Sequence, residues 1–258
     1  MLLLAVDVGN SNIKIGLFED RTLLSSWRFS TDREKSSDEY GIQLMQFLKH
    51  LGYTPAQMDG VIISSVSPGI NYTLERMFHT FFSLDPLFVS HETTAGLQIH
   101  YDVPSELGAD RIANAVGAWH LYGGPCITVD FGTATTFGAV DANGTFLGGA
   151  IAPGIRSATD ALVSRAAQLH RFDLIQPKTA VATNTVDAMQ AGVLFGFTGL
   201  ADHVIERMQQ EIGPCKVIAA GGLSDVIAGE SKYIDIADKL LTLKGLQLIY
   251  EKTMTEEK

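Results

Sequence analysis

Residues 2–14 read LLLAVDVGNSNIK, and this short stretch decides the fold that the sequence predicts. The apolar run at residues 2–6 is typical of a central, buried β-strand. Turn-forming residues follow at 7–12, and alternating apolar residues at 13–17 predict a second strand. Residues 22–29 predict a third strand. Three strands joined by tight turns indicate an antiparallel meander and not a β-α-β unit.

The same pattern begins again at residue 127. Residues 127–129 predict an apolar strand, 130–135 a polar turn, and 136–140 and 145–151 two further strands. The residues that recur at one constant spacing are Asp7 and Asp130, Gly9 and Gly132, and Asn10 and Thr133. An internal repeat of this length is too long for a solenoid. We therefore interpret the chain as two copies of one domain, at residues 1–115 and 116–258.

Apolar residues at helical spacing follow both meanders. The predicted helices cover residues 40–51, 70–81, 108–122, 158–167, 186–208 and 239–250, and short apolar runs predict strands at 61–66, 86–89 and 217–219. Asn184 or Thr185 is the expected N-cap of the long helix, whose Gly192, Gly196 and Gly199 weaken the helical pattern and would permit close packing. The apolar stripe at 112–122 is interpreted as core or as part of an interface. Residues 251–258 are expected to fray.

The composition describes a folded, acidic protein. It has 258 residues, 46% of them hydrophobic, and 19 Lys and Arg against 29 Asp and Glu give a net charge of −10. This apolar fraction excludes intrinsic disorder, and the acidic balance argues against a nucleic-acid partner because phosphate backbones require clustered basic residues. Cys126 and Cys215 are expected to be reduced, buried thiols in strands. We also expect no signal peptide and no membrane span, and hence a cytoplasmic protein.

Two glycine-rich turns carry the candidate chemistry, in the sequences DVGNSNIK (7–14) and DFGTATT (130–136). Such a turn points several backbone N–H groups in one direction and so suits the phosphates of a nucleotide. A strand that ends in a carboxylate, such as Asp7, suits a divalent metal and its waters. The alternative is an ordinary hairpin in which Asp7 and Asn10 cap backbone groups. Because the turn occurs twice, we favour two hairpins that clamp a triphosphate.

Two further features indicate a ligand site. In AAGGLS (219–224), two glycines let the backbone approach a ligand closely, although a tight strand-to-helix turn would use them too. Asp110 opens a predicted helix, where a carboxylate suits removal of a proton from an alcohol. The alternative is an acidic residue favoured by the helix dipole. Arg111 suits a substrate carboxylate or a surface ion pair.

Together these motifs resemble the type III pantothenate kinases, within the superfamily of sugar kinases, Hsp70 and actin. The resemblance covers nearly the whole chain through DVGNSNIK (7–14), YDVPSELGADR (101–111), DFGTATT (130–136), NTVDAMQAG (184–192) and AAGGLS (219–224). Ser11 stands where the family usually has threonine, so a hydroxyl is kept. The implied fold is α/β, with two duplicated ribonuclease-H-like domains, mixed sheets and an interdomain ATP cleft.

The resemblance also implies roles for individual residues. It places ATP at Asp7, Val8, Gly9, Asn10, Ser11, Asn12, Ile13, Lys14 and Thr133. It places pantothenate at Tyr101, Gly108, Ala109, Asp110, Arg111 and Thr185, with Asp110 as catalytic base. Asp130 is implied as the ligand of an activating monovalent cation, K⁺ or NH₄⁺, and Mg²⁺ is expected with ATP. Tyr101 as a packed loop aromatic and Thr185 as a helix cap are the alternatives. The family is usually a homodimer.

The implied reaction is phosphorylation of pantothenate by ATP to 4′-phosphopantothenate, the first step of coenzyme A biosynthesis. A non-catalytic accessory transcription factor of the same fold is one alternative, against which the presence of Asp7, Asp110 and Asp130 speaks. A superfamily kinase with another small-molecule substrate is the second alternative. The sequence around Asp110 favours pantothenate.

Overall fold

The computed structural model describes residues 1–166 and 169–256, and its first sheet has five strands. These are β1 (Leu2–Val8), β2 (Asn12–Glu19), β3 (Thr22–Ser30), β4 (Gly60–Ser65) and β5 (Leu87–Phe88), in the spatial order β3-β2-β1-β4-β5. The first three strands pair antiparallel, and β4 and β5 continue the sheet in parallel with β1. The predicted meander is confirmed.

The second sheet repeats this arrangement. Its strands are β6 (Gln98–Ile99), β7 (Cys126–Phe131), β8 (Ala134–Val140), β9 (Thr145–Pro153), β10 (Lys216–Gly221) and β11 (Ile236–Ala237), in the order β11-β10-β7-β8-β9-β6. Strands β7 to β9 form the antiparallel meander, and β10 and β11 follow in parallel with β7. The five matching strands have the same order and directions in both sheets, with β6 added at one edge, which confirms the duplicated α/β fold.

Helices occupy matching places after these strands. They are α1 (Ser37–His50), α2 (Asn71–Phe82), α3 (Ala109–Tyr122), α4 (Ile155–Arg165), α5 (Thr185–Ile212), α6 (Ser224–Ala228) and α7 (Leu241–Glu256). Single 3₁₀ turns occur at Pro55–Gln57, Pro68–Ile70 and Pro104–Glu106. A capping box between Ser36 and Glu39 fixes the start of α1, because each residue bonds the backbone N–H of the other.

The chain forms two compact units. The first contains Met1–Gly96, Val103–Gly117 and the chain from Thr242 onward, and the second contains Leu97–Asp102 and Ala118–Leu241. The helix α3 therefore runs from one unit into the other, and the C-terminal helix α7 belongs to the first. Within that unit, an added Cβ on Gly245 would lie 1.9 Å from the carbonyl oxygen of Ala113, so α7 packs closely on α3. The boundary at 115/116 stays a prediction about folding domains.

The first sheet buries both of its faces. Residues such as Val6 and Ile15 face α1 and α2 in one core cluster. On the opposite face, Leu243 of α7 lies against Gly16, and Tyr250 lies against Gly60. This burial on both sides explains the continuous apolar run of β1, because a strand covered on both faces gains from apolar residues at every position.

The C-terminal tail corrects the sequence prediction. We expected fraying from residue 251, but α7 continues to Glu256, while residues 257–258 lie outside the described part of the chain. Arg21 forms a bidentate ion pair with Glu251 at 2.8 Å, and the Lys252 ammonium donates to the Ala95 carbonyl oxygen at 3.2 Å. These long-range contacts hold the last turns, which sequence periodicity does not reveal.

Three other predictions concern packing and helix bounds. The stripe of α3 is core at Ile112 and Val116, which are fully buried, and its part in an interface stays a prediction. Gly192, Gly196 and Gly199 would permit close packing, but no described residue uses it, because an added Cβ on any of them would meet nothing within 4 Å. The predicted helix at 158–167 begins earlier, at Ile155, and ends at Arg165; Ala167 lies outside the described residues.

The cysteine prediction holds for one of the two thiols. Cys126 is buried in β7, whereas Cys215 is half-buried and precedes β10. Burial raises the pKa of both thiols, that of Cys126 to about 12. Among the described residues, no helix is both long and apolar enough to cross a membrane.

Candidate active site

The first glycine-rich turn joins β1 to β2, and hydrogen bonds within the turn and from Thr31 fix its backbone. The Gly9 amide donates to the Asn12 carbonyl oxygen at 2.9 Å. Thr31 fixes the other side, because its hydroxyl donates to the Gly9 carbonyl oxygen at 2.7 Å and its amide donates to the Ser11 carbonyl oxygen at 3.1 Å. Asn10, Ser11 and Asn12 are therefore exposed on a fixed turn. Such a preorganised turn suits anion binding.

A charged row crosses the first sheet just behind this turn. Asp7 lies in register with Lys14 of β2 and with Ser64 of β4, and Lys14 continues the row to Arg28 of β3. The Lys14 ammonium lies 3.7 Å from an Asp7 carboxylate oxygen, and both side chains are mostly buried. Val8 and Ile13 alternate to the other face, where their side chains are fully buried in the core. These two residues can offer a nucleotide only their backbone groups.

Asp110 lies in the first turn of α3 and close to the same edge of the sheet. One carboxylate oxygen of Asp110 accepts from the Arg111 amide at 2.8 Å and would lie 2.6 Å from a Cβ added to Gly108. That Cβ would also lie 3.6 Å from the side chain of Val66, whose amide donates to the Val8 carbonyl oxygen. Gly108 is therefore required for the carboxylate to fold back over the helix N-terminus, at the end of β1 where the turn begins.

The neighbours of Asp110 are more enclosed. Ala109 and Arg111 are each 7% exposed, and Asp110 and Gly108 are half-buried. This burial argues against the alternative that Arg111 forms a solvated surface ion pair.

The second glycine-rich turn joins β7 to β8. It has three residues between its last paired positions, whereas the first turn has four. Phe131 pairs with Thr135, and the Gly132 amide donates to the Ala134 carbonyl oxygen at 3.0 Å. The Thr133 carbonyl oxygen accepts from the Ser157 hydroxyl at 2.7 Å, while the Thr133 side chain is exposed. The start of α4 therefore fixes the backbone of this turn, and Thr133 lies on its exposed side.

Asp130 lies against the AAGGLS turn. An added Cβ on Gly221 would lie 2.6 Å from a carboxylate oxygen of Asp130, and Gly221 has a φ of +90°. The buried Ser224 hydroxyl donates to the Gly221 carbonyl oxygen at 2.9 Å and fixes the turn. Gly222, in contrast, is exposed and would meet nothing within 4 Å. One glycine thus serves the fold, and the other leaves an open surface.

Tyr101 and Thr185 occupy the second unit. The Tyr101 ring lies 6.3 Å from the Phe146 ring and is half-buried, as the packed-aromatic alternative expects. Thr185 begins α5, but Asn184 is the cap, since its side chain accepts from the Asp187 amide at 3.0 Å. The cap alternative for Thr185 is therefore wrong, and its hydroxyl is exposed.

The structure brings one set of predicted residues together in the first unit. That set holds the turn at 9–12, Asp7, Lys14, Gly108, Asp110 and Arg111, while Thr133, Asp130, Tyr101 and Thr185 belong to the second unit. Sequence reasoning missed Ser64, which is fully buried beside Asp7. The only signal was the pair of serines that ends the otherwise apolar run VIISS. In the described ranges, no group of three or more His, Cys, Asp or Glu side chains forms a metal site.

Comparisons with known proteins identify sequence relatives of this chain. A sequence profile of the type III pantothenate kinases matches residues 3–207. The chain is 47% identical over 258 residues to a protein named type III pantothenate kinase from Geobacillus kaustophilus, and the alignment covers all of both chains.

Solved structures show the same fold at low identity. A protein from Campylobacter jejuni, described as belonging to the Baf family of transcriptional activators, matches with a TM-score of 0.60 and 22% identity over 98% of this chain and 99% of that one. An inorganic polyphosphate/ATP-glucomannokinase from Arthrobacter matches with a TM-score of 0.52 and 14% identity, over 98% and 99% of the two chains. These likenesses support the fold alone.

Proposed function

The chain belongs to the type III pantothenate kinase family, and from this premise we infer the reaction that its residues perform. It phosphorylates pantothenate with ATP to give 4′-phosphopantothenate, the first step of coenzyme A biosynthesis. The observation that carries this inference is full-length similarity at 47% identity to a protein of that name. The fold alone would also suit a kinase of another substrate.

Asp110 is the proposed catalytic base. Its carboxylate accepts the proton of the primary hydroxyl of pantothenate as that oxygen attacks the γ-phosphorus of ATP. The contact with the Arg111 amide fixes the carboxylate before substrate arrives. Arg111 binds the pantothenate carboxylate, since a buried guanidinium offers paired donors. Gly108, Ala109, Tyr101 and Thr185 complete the proposed substrate contacts.

The proposed phosphate contacts begin at the first turn. Backbone N–H groups of Asn10, Ser11 and Asn12 and the ammonium of Lys14 bind the phosphates, with Asp7, Val8, Gly9 and Ile13 flanking them, since the Gly9 amide is used within the turn. Mg²⁺ bound together with ATP would supply positive charge that neutralises the charge developing on the phosphates. The residues present fit such an ion: a single mostly buried carboxylate, Asp7, suits a hydrated Mg²⁺ that keeps its waters.

The second turn supplies the remaining proposed contacts. The exposed Thr133 hydroxyl is the proposed ATP contact. Asp130 is the proposed ligand of a monovalent cation, K⁺ or NH₄⁺, and two observations support it: an oxygen of its carboxylate is buried, and its cross-strand neighbour Thr136 carries no charge. Such a cation would balance the charge of the triphosphate in an acidic chain.

A homodimer is proposed for the assembly. Ile151, Leu162 and Val186 of the second unit are 66%, 46% and 49% exposed, which is a large apolar exposure for a folded chain. Size-exclusion chromatography with light scattering would test this; a monomer at assay concentration would contradict it. The cytoplasmic location and the absence of a nucleic-acid partner stay predictions.

A coupled assay of ADP release tests the reaction. With Mg²⁺ and K⁺ present, we expect ADP release to require pantothenate and to fall when K⁺ is replaced by Na⁺. Pantothenate-independent turnover, or none, would contradict the proposed function. Activity that is unchanged without K⁺ or NH₄⁺ would contradict only the cation site at Asp130.

A further inference from the structure

Ser64 has a buried hydroxyl that the fold does not use. The residue is fully buried near the end of β4, and its Oγ has no hydrogen-bond partner among the described residues. A buried hydroxyl without a partner costs about 1–3 kcal/mol. Nearly all buried hydroxyls are therefore satisfied by protein or by an ordered water.

The second copy of the domain shows that packing alone does not require this serine. Ser64 is the parallel-strand partner of Asp7, and the parallel-strand partner of Asp130 is Ala220. Ala220 is also fully buried. An alanine therefore fits this position of the fold, and the hydroxyl in the first copy points to a role specific to the first site.

The position of Ser64 indicates what that role is. Register partners on neighbouring strands project from the same face of a sheet, with the strands about 4.8 Å apart. The Ser64 hydroxyl and the Asp7 carboxylate therefore project side by side, and the Lys14 ammonium lies on the other side of Asp7, 3.7 Å from it. The ion pair with Lys14 draws the Asp7 carboxylate toward β2, the strand on the side away from Ser64.

We propose that Ser64 is a positioning residue whose hydroxyl binds one water shared with the Asp7 carboxylate. This water satisfies the serine and holds the carboxylate in the orientation that receives the hydrated Mg²⁺ of MgATP. The inference rests on the proposed function and deepens it. It assigns Ser64 no contact with pantothenate and no part in proton transfer.

Calorimetric titration with a non-hydrolysable ATP analogue, with and without Mg²⁺, tests the proposal. For S64A we expect the Kd measured with Mg²⁺ to rise about tenfold, as for loss of an outer-shell partner of a metal ligand. The Kd without Mg²⁺ should stay within twofold of wild type. If Ser64 had only a structural role, S64A would change the Kd with Mg²⁺ and the Kd without Mg²⁺ by the same factor. Thermal stability should stay near that of wild type, because alanine fits the matching buried position, Ala220, of the second copy.

A double-mutant cycle links the effect to Asp7. S64A added to Asp7→Asn should weaken Mg²⁺-dependent binding no further, since the hydroxyl acts through the carboxylate. Additive effects would overturn the proposal. Thr198→Val is the matched control: Thr198, in the second unit, also has a buried hydroxyl without a described partner, and its removal should change neither Kd.

These measurements distinguish a failure of the Ser64 proposal from a failure of the proposed function. If Asp7→Asn weakens Mg²⁺-dependent binding and S64A leaves it unchanged, the Ser64 proposal is wrong and the proposed function stands. If the wild-type protein shows no Mg²⁺-dependent binding of the analogue, the proposed function fails and the role of Ser64 fails with it.

Discussion

The two copies of the domain share their strand order but differ in the residues beside their matching aspartates. In the first, Asp7 is flanked in the sheet by Lys14 and Ser64; in the second, Asp130 is flanked by Thr136 and Ala220. The helices that follow the last strand of each copy also differ. In the first copy, α3 carries Asp110 in its first turn, whereas α7, its counterpart in the second copy, has no acidic residue in its first turn.

This difference fits the division of roles that we propose. The first copy places charged and hydroxyl side chains beside its aspartate, as the proposed binding of phosphates requires. The second copy places neutral side chains and Gly221 beside its aspartate. In this proposal, two copies of one fold serve different chemistry, because the side chains beside the matching aspartates differ.

The largest expected effect tests whether Asp110, which the second copy lacks, is the catalytic base. Asp110→Asn should lower kcat about 10³-fold, within the 10²–10⁴ range for loss of a general base, and leave the melting temperature near that of wild type. Steady-state kinetics and a thermal melt measure both. The control is Asp38→Asn, which removes a first-turn acid from α1 and should leave kcat unchanged. Wild-type-like turnover of Asp110→Asn would reject its role as base.

The next test concerns the glycines that distinguish the second copy. Gly221→Ala places a Cβ against the Asp130 carboxylate at a φ of +90° and should lower the free energy of unfolding by about 1–3 kcal/mol. Gly222→Ala meets nothing within 4 Å, so it should unfold like wild type but raise the KM for ATP. Urea denaturation and kinetics measure the two effects. Equal loss of stability in both variants would contradict the distinction between them.

Exchanging the cross-strand neighbours tests the charged row directly. Lys14→Thr gives the first hairpin the neighbour of the second, and the KM for ATP should rise about tenfold, which is about 1.4 kcal/mol. Thr136→Lys is the reciprocal variant and should weaken activation by K⁺, because an ammonium beside Asp130 competes with a cation. An unchanged KM for ATP in Lys14→Thr would show that the charged neighbour of Asp7 does not distinguish the first copy from the second in ATP binding.

The smallest expected effect is a loss of folding stability at alkaline pH, caused by ionisation of Cys126. Cys126 lies four residues before Asp130, as Leu3 lies before Asp7, and burial raises its pKa to about 12. The unfolded thiol ionises near pH 9, so stability is complete below that pH and falls as the pH rises toward 12, by at most about 1.4 kcal/mol per pH unit. Urea denaturation at pH 8 and pH 10.5 measures this loss. Cys126→Val should reduce it, and an identical loss in that variant would assign it to other groups.

Much of the fold was predictable because local patterns and global topology agree. The apolar run of β1, the turn after it and the recurrence at residue 127 predicted both meanders and their duplication. The candidate residues at 7–14, 108–111 and 130–133 were found because turn chemistry is local. The roles implied for them by the family resemblance stay predictions.

The sequence by itself determined the strand patterns, the repeat and the positions of the glycine-rich turns, since alternation and turn residues act over a few neighbours. Only the tertiary structure decided which unit α7 joins, that α3 is core, that Gly221 is needed beside Asp130 while Gly222 is open, and that Ser64 lies beside Asp7. Those outcomes depend on packing and strand register between residues far apart in the chain. Local periodicity contains no information about such partners, because any apolar stripe or buried hydroxyl is compatible with several of them.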